Sequence, residues 1–299
     1  MTPSRTAYHV AMDTTIAIEL PGDPDGASDA LKRAFGWFDH VEGVCSRFDP
    51  ASELSRLCAR PGEAVQVSEL LFSALRFAQY VAAASGGAFD PTVGATLAGA
   101  GFNRNFRTGE LVSAAPSAEA SFRDIVLTPK NNTVRLLRSL QLDLGAVAKG
   151  LAIDLAAQEL SAFPDFAINA GGDLFVRGQA ASGEPWRLGV RDPRDFDALA
   201  ETFELDGLAL CTSGDYERRD AATGVHHLFD ARTGNVARRC ASASVIAPTA
   251  MAADALATAA FALGPGVGID FLESEGVEGL IITPGGERFV TAGLQEYMG

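Results

Sequence analysis

Apolar and polar side chains alternate along residues 7–20 closely enough to predict a first strand. Over residues 27–44 the period changes. Leu31, Phe35, Phe38 and Val41 recur at three- and four-residue steps and predict a helix. The loop Cys45-Ser46-Arg47-Phe48-Asp49-Pro50 leads to a short helix near 53–59. Residues 68–84 predict an amphipathic helix, capped by Ser68, with Leu71, Leu75 and Ala78 on one face and Ser85-Gly86-Gly87 as its stop. Two apolar runs, 122–127 and 133–137, flank Thr128-Pro129-Lys130-Asn131-Asn132, a hairpin signal. Leu142-Asp143-Leu144 passes through Gly145 into a helix over 146–162. Short strands follow near 166–169, 174–177, 186–190, 202–205 and 208–212. A buried strand over 242–247 is punctuated by Pro248 before a helix over 250–263, and one more helix and two strands finish the chain. Strands and helices in mixed order, with several hairpins, predict an α+β fold rather than a regular βαβ succession. No long linker or short repeat divides residues 1–299, so a single domain, built as two lobes, is expected.

Composition changes this picture little. Hydrophobic residues make up 47% and charged residues 21% of 299, ordinary values for a chain with a real core. Charge changes it more. A formal net charge of −14, with no run of Lys or Arg, argues against a nucleic-acid partner held through its phosphates. Any phosphorylated ligand would need local positive charge from a metal, a lysine or helix N-termini. Cys45, Cys58, Cys211 and Cys240 are widely spread without a CxxC pair, which favours buried thiols over zinc ligation. Without an apolar stretch of 18 residues or a signal-like start, the sequence as given reads as cytoplasmic with no membrane anchor, and as periplasmic if a leader has been removed.

Five segments carry candidate chemistry. Asp254 and Thr258 stand four residues apart on one face of an alanine-rich helix and offer a carboxylate and a hydroxyl, hard ligands that suit Mg²⁺. On spacing alone, an exposed aspartate and a threonine bonded to its own helix explain them as well. Asp143-Leu144-Gly145-Ala146-Val147-Ala148-Lys149-Gly150 is a strand-to-helix turn that can present amide N–H groups to an anion, with Lys149 in the first helical turn; an ordinary turn with a surface lysine is the alternative. Asn169-Ala170-Gly171-Gly172-Asp173 reads as a tight hairpin turn that also permits close approach of a ligand. Thr212-Ser213-Gly214-Asp215-Tyr216-Glu217-Arg218 precedes His226-His227-Leu228-Phe229-Asp230, and a histidine near neutrality can accept a hydroxyl proton. Ser213 lacks the G-x-S-x-G elbow of a hydrolase nucleophile, so it is assigned to ligand positioning. Gly87-Ala88-Phe89-Asp90-Pro91-Thr92-Val93-Gly94 is glycine-rich but lacks the P-loop lysine, and G-x-G-x-x-G is absent from the chain, so a bound dinucleotide would not sit in a Rossmann fold.

In identity and order these segments, with Met12-Asp13-Thr14-Thr15, Ser46-Arg47-Phe48-Asp49, Ser52-Glu53-Leu54-Ser55 and Ala247-Pro248-Thr249-Ala250-Met251, resemble the ApbE family, the FAD:protein FMN transferases, from residue 12 to about 290. The resemblance implies an α+β enzyme with a ligand cleft between its lobes, which moves FMN from FAD to a Thr or Ser hydroxyl of another protein and releases AMP. It implies Mg²⁺ ligation by Asp254, Thr258 and the Ala146 carbonyl. It implies FAD contacts at Met12, Phe48, Ala88, Phe89, Asp90, Asp143, Lys149 and Phe229, with the isoalloxazine against Met12 and Phe48 and the diphosphate at the Gly145 turn. Gly172, Asp173, Ser213 and Gly214 join that ligand set, and His227 falls at the family's active-site histidine. The catalytic pair is therefore expected to be His227 and Asp254. Three positions depart from the family pattern: Asp13 for a glycine, Cys58 for an asparagine and Ala231 for a proline. Two related outcomes stay open, an FAD pyrophosphatase in which water attacks, and an FAD-binding protein without turnover.

Overall fold

The computed structural model describes residues 4–22, 24–112, 120–218 and 224–299, so residues 1–3 of the N-terminal run lie outside it. The chain begins with β1 (Ser4–Ala11) and β2 (Thr14–Pro21), then α1 (Ala27–Cys45), α2 (Glu53–Cys58), β3 (Ala64–Gln66), α3 (Glu69–Ala84) and α4 (Gly94–Gly99). It continues through β4 (Ile125–Thr128), β5 (Thr133–Leu136), α5 (Gly145–Glu159), β6 (Phe166–Ala170), β7 (Asp173–Arg177), β8 (Trp186–Arg191), β9 (Leu199–Leu205) and β10 (Leu208–Gly214). Two-residue strands β11 (Phe229–Asp230) and β12 (Asn235–Val236) precede β13 (Ser242–Ala247), α6 (Ala250–Leu263), α7 (Pro265–Ser274), β14 (Glu278–Ile282) and β15 (Arg288–Val290).

The alternating stretch over 7–20 is not one strand. It folds back at Met12 and Asp13, whose φ angles of 54° and 63° make a left-handed two-residue turn between β1 and β2. A methionine in that conformation is unusual, and the turn is held from outside: the Met12 amide donates to Glu42 Oε2 at 3.0 Å. The short β3 and α4 were also not foreseen; β3 extends the predicted hairpin of β4 and β5 into a three-stranded sheet.

Eight strands form one sheet in the order β1-β2-β6-β7-β10-β13-β14-β15, and every pairing is antiparallel. Period-two alternation divides its side chains between two apolar clusters. Ile168, Phe175, Ala209, Cys211, Ala243, Val245 and Ile281 join the cluster that α1, α3, α5, α6 and α7 cover. Ala167, Leu174, Val176, Leu210, Ile246, Leu280 and Ile282 face the other way, against Trp186, Leu188, Phe203 and Leu205 of the β8–β9 hairpin. Two cores thus lie on opposite faces of one sheet. All four cysteines are free thiols, three of them buried. Among the described residues no helix is long and apolar enough to cross a membrane.

Helix α6 is buried almost all round, which its alanine content permits. Thr249 caps it, accepting from the Ala252 amide, and Asp154 of α5 takes the amides of Ala250 and Met251 at 2.7 and 3.0 Å. Burial pushes the Asp154 carboxyl up to about 6, against the pull of those two amides. The helices α5 and α6 meet so closely that a Cβ on Gly150 would lie 2.5 Å from Met251 Cα. Gly150→Ala therefore should cost about 1–3 kcal/mol by overpacking. Gly36→Ala, on the exposed side of α1 with nothing within 4 Å, should instead gain about 0.5–1 kcal/mol of helix propensity. Urea unfolding of both variants checks this; equal midpoints would show that the α5–α6 contact is not tight.

Candidate functional site

Helix α5 organises the site from its first turn. Asp143 precedes it and accepts from the Gly145 amide at 2.8 Å through Oδ1. The amide expected to face an anion is thereby taken by the chain's own carboxylate. The Asp143 Oδ2 accepts from Arg47 Nε. Burial works to raise the Asp143 carboxyl, but the Arg47 charge, the Gly145 amide and Arg218 outweigh it and hold the group below the usual carboxylate range.

One turn into α5, the Lys149 ammonium contacts Asp173 Oδ2 and lies 3.4 Å from Asp254 Oδ2. Both carboxylates are nearly buried. Asp173 is brought there by the β6–β7 turn, where Gly171 and Gly172 have φ of 64° and 96°. Gly172 itself is exposed and open at the tip, its amide bonded to Asn169 Oδ1. Asp173 Oδ1 accepts from the Thr212 amide at 3.3 Å, tying the turn to β10. From the end of β10 the Ser213 hydroxyl bonds Thr258 Oγ1 of α6 at 3.0 Å. Parity in the sheet places Asp173 and Ser213 on the helix-covered side, with Phe175 and Cys211. Lys149, Asp173, Ser213, Asp254 and Thr258 thus form one cluster. Gly214 adjoins it, so close to the Tyr216 ring that a Cβ would lie 2.5 Å from Cε1.

A second group surrounds His227. Its amide and Nδ1 face the Arg218 carbonyl at 3.2 and 3.4 Å, and its ring meets Phe102 edge-on at 6.2 Å. Burial first, then the Arg218 charge, push the imidazole down to about 4. Arg218 lies 3.6 Å from Asp13, which accounts for a carboxylate at that left-handed turn position. Met12 is half-buried, and Glu42, which holds its amide, also binds Arg107 at 2.5 Å. Phe48 lies under the Arg47 guanidinium, 4.1 Å from Cζ to ring centroid, and lines a cavity of about 430 Å³ with Ser46, Asn105 and Arg107.

The glycine loop joins the two groups. The Pro91 carbonyl accepts from the Asp143 amide at 2.7 Å, and the Ala88 carbonyl accepts from the Ala231 amide at 3.1 Å, two residues beyond Phe229 in β11. Ala88 and Phe89 are buried in the core. Asp90 spends both oxygens inside the protein, on the Thr92 amide and hydroxyl and on the Phe122 amide, and burial raises its carboxyl despite these bonds. Its visible role is to shape the loop.

Which groups could hold a metal? No cluster of three His, Cys, Asp or Glu occurs among the described residues. What the structure offers is oxygen: the Asp254 carboxylate and the Thr258 hydroxyl one turn on in α6. That donor set suits Mg²⁺, which keeps water and phosphate oxygens as its remaining ligands. A lysine ammonium stands beside Asp254 and shares its carboxylate. Sequence reasoning left Arg47 and Arg218 out of the site. Their only signal was that they are arginines flanking assigned residues in an acidic chain.

Residues 12–281 match the ApbE family. An FAD:protein FMN transferase of Treponema pallidum is 34% identical over 297 residues, covering 89% of this chain and 80% of that protein. One of Rhodobacter capsulatus is 33% identical over 269 residues, covering 86% of this chain; the chain spans half the length of that relative. The crystal structure of the ApbE protein of Thermotoga maritima superposes with a TM-score of 0.88 at 29% identity, covering 99% of this chain and all of that one.

The His227 environment gives a direct expectation. Its ring should stay neutral from pH 8 to 5 and gain its proton near 4, read from its NMR shifts. Because an unfolded histidine titrates near 6.5, the unfolded chain takes up this proton first. His227 therefore should lower stability as pH falls from about 6.5 toward 4, and His227→Gln should remove that part of the slope. A midpoint above 6 would overturn the assignment.

Proposed function

Because the chain belongs to the ApbE family, we propose that it transfers the FMN half of FAD to a Thr or Ser hydroxyl of an acceptor protein and releases AMP. The observation that supports this most is the gathering of Lys149, Asp173, Asp254, Ser213 and Thr258 at one place in a chain of net charge −14. An acidic surface repels a diphosphate unless cations are held at the point of contact. Lys149 supplies one such charge. Asp254, Thr258 and the Ala146 carbonyl would hold Mg²⁺, which supplies charge neutralisation at the phosphate oxygens when bound.

In the transfer the acceptor hydroxyl oxygen forms a bond to the phosphorus of the FMN half. The bond from that phosphorus to the bridging oxygen breaks, and the bridging oxygen leaves with AMP. His227 takes the hydroxyl proton. A carbonyl oxygen can only accept, so the contact with Arg218 O assigns the hydrogen to Nδ1 and leaves Nε2 as the base. A ring held near 4 in the free protein is a weak base. Diphosphate beside it favours the protonated form and raises its basicity when substrate is present. Met12 and Phe48 offer apolar surface to the isoalloxazine, and Phe229, two residues from His227, extends it.

Asp254→Ala should reduce FMN transfer about 100-fold or more at saturating Mg²⁺, the loss of several kcal/mol of phosphoryl charge stabilisation. The measurement is in-gel flavin fluorescence of cell extract incubated with FAD, alongside AMP release. Undiminished transfer by the variant would remove the metal assignment. AMP release that needs no acceptor protein would replace transfer by hydrolysis.

A further inference from the structure

Arg47 is held on three sides and unpartnered at Nη1. Its side chain is only 6% exposed. Nε donates to Asp143 Oδ2, one Nη2 hydrogen goes to the Phe102 carbonyl, and the guanidinium lies on the Phe48 ring. Nη1 is buried and finds no acceptor among the described residues. A guanidinium is a rigid planar fork, so fixing Nε and Nη2 fixes the direction in which Nη1 donates. Leaving such a donor unmade is costly, and buried orphan donors are rare enough to demand a partner.

The partner is an oxygen acceptor arriving from outside the fold. Asp143 already neutralises Arg47, so a phosphate would gain less there than at an unpaired guanidinium and would meet the nearby carboxylate's repulsion, which a neutral carbonyl would not. The group also stacks on Phe48, an aromatic face at a cavity wall.

We propose that Arg47 is a specificity-determining residue that donates through Nη1 to a ring carbonyl on the flavin half of FAD. The inference rests on the FAD reading above and adds to it the residue that separates a flavin from other diphosphates. The Arg47–Asp143 pair also links flavin contact to the start of α5, because Asp143 caps the Gly145 amide.

The test measures equilibrium binding of riboflavin, FAD and ADP to the wild-type chain and to Arg47→Lys, which keeps the charge beside Asp143 but not the fork. Riboflavin and FAD should each bind about 10- to 100-fold more weakly to the variant, as for loss of a charge-assisted hydrogen bond, while ADP affinity stays unchanged. The absorption spectrum of bound flavin should also differ between the two proteins, a change that altered stability alone would not produce. Unchanged flavin affinity, or an equal loss for ADP, would overturn the proposal. Should the variant not fold, the wild-type protein decides: 2-thioriboflavin or 4-thioriboflavin, whose sulfur is a poor acceptor, should bind about 10-fold more weakly than riboflavin, and equal binding of all three overturns it. A wild-type chain that binds no FAD would defeat the functional reading instead, a result distinct from either outcome.

Discussion

The close approach of α5 and α6 at Gly150 is the contact on which the site depends. Lys149 is the neighbour of that glycine, and Asp254 stands one turn beyond the α6 backbone that the glycine touches. Any side chain at 150 would wedge the helices apart and carry the ammonium away from the carboxylate. Asp154 fixes the same junction along the helix axis, because its two oxygens hold the first amides of α6. A glycine sets the spacing and an aspartate sets the axial position. The polar cluster follows from those two constraints plus the β6–β7 turn that delivers Asp173.

This arrangement also sets one ammonium among carboxylates in a strongly acidic chain. Lys149 is held by two carboxylates, which keep it in place while leaving the cluster short of positive charge. On the proposed function, a divalent ion bound there would restore the balance for a diphosphate. At the other end, Arg47 and Arg218 each sit against a carboxylate, Asp143 and Asp13, so charge around His227 is paired rather than accumulated. The imidazole is therefore kept neutral mainly by burial, with Arg218 assisting.

Much of the fold was legible because local signals agreed with tertiary packing. The strand Ser242–Ala247 and the helix Ala250–Leu263 fall where the apolar run, Pro248 and the Thr249 cap place them. The β1–β2 hairpin was not legible, since Met12 is an unusual residue for a left-handed turn, no glycine marks the turn, and its backbone is held by Glu42 from another element. Within the site, Asp254 and Thr258 were readable as a pair because four-residue spacing on a helix is local. The contacts of Lys149 with Asp173, and of Arg47 with Asp143 across 96 residues, were not, because they exist only once helices and turns have packed. At the Gly145 turn the preceding aspartate takes one amide, a contact that the sequence did not make legible.

The eight-stranded sheet acts as a partition between two kinds of selection. Asp173 and Ser213 project into the helical half, while the face toward the β8–β9 hairpin is mainly apolar, with the Thr212–Ser244 hydroxyl pair at its edge. Drift in the hairpin half can therefore retune surface shape with little effect on the polar cluster, so long as the volume of that core is kept. Insertion of one residue within β10 would be another matter. It would reverse the parity of everything downstream in the strand and turn the Ser213 hydroxyl into oil.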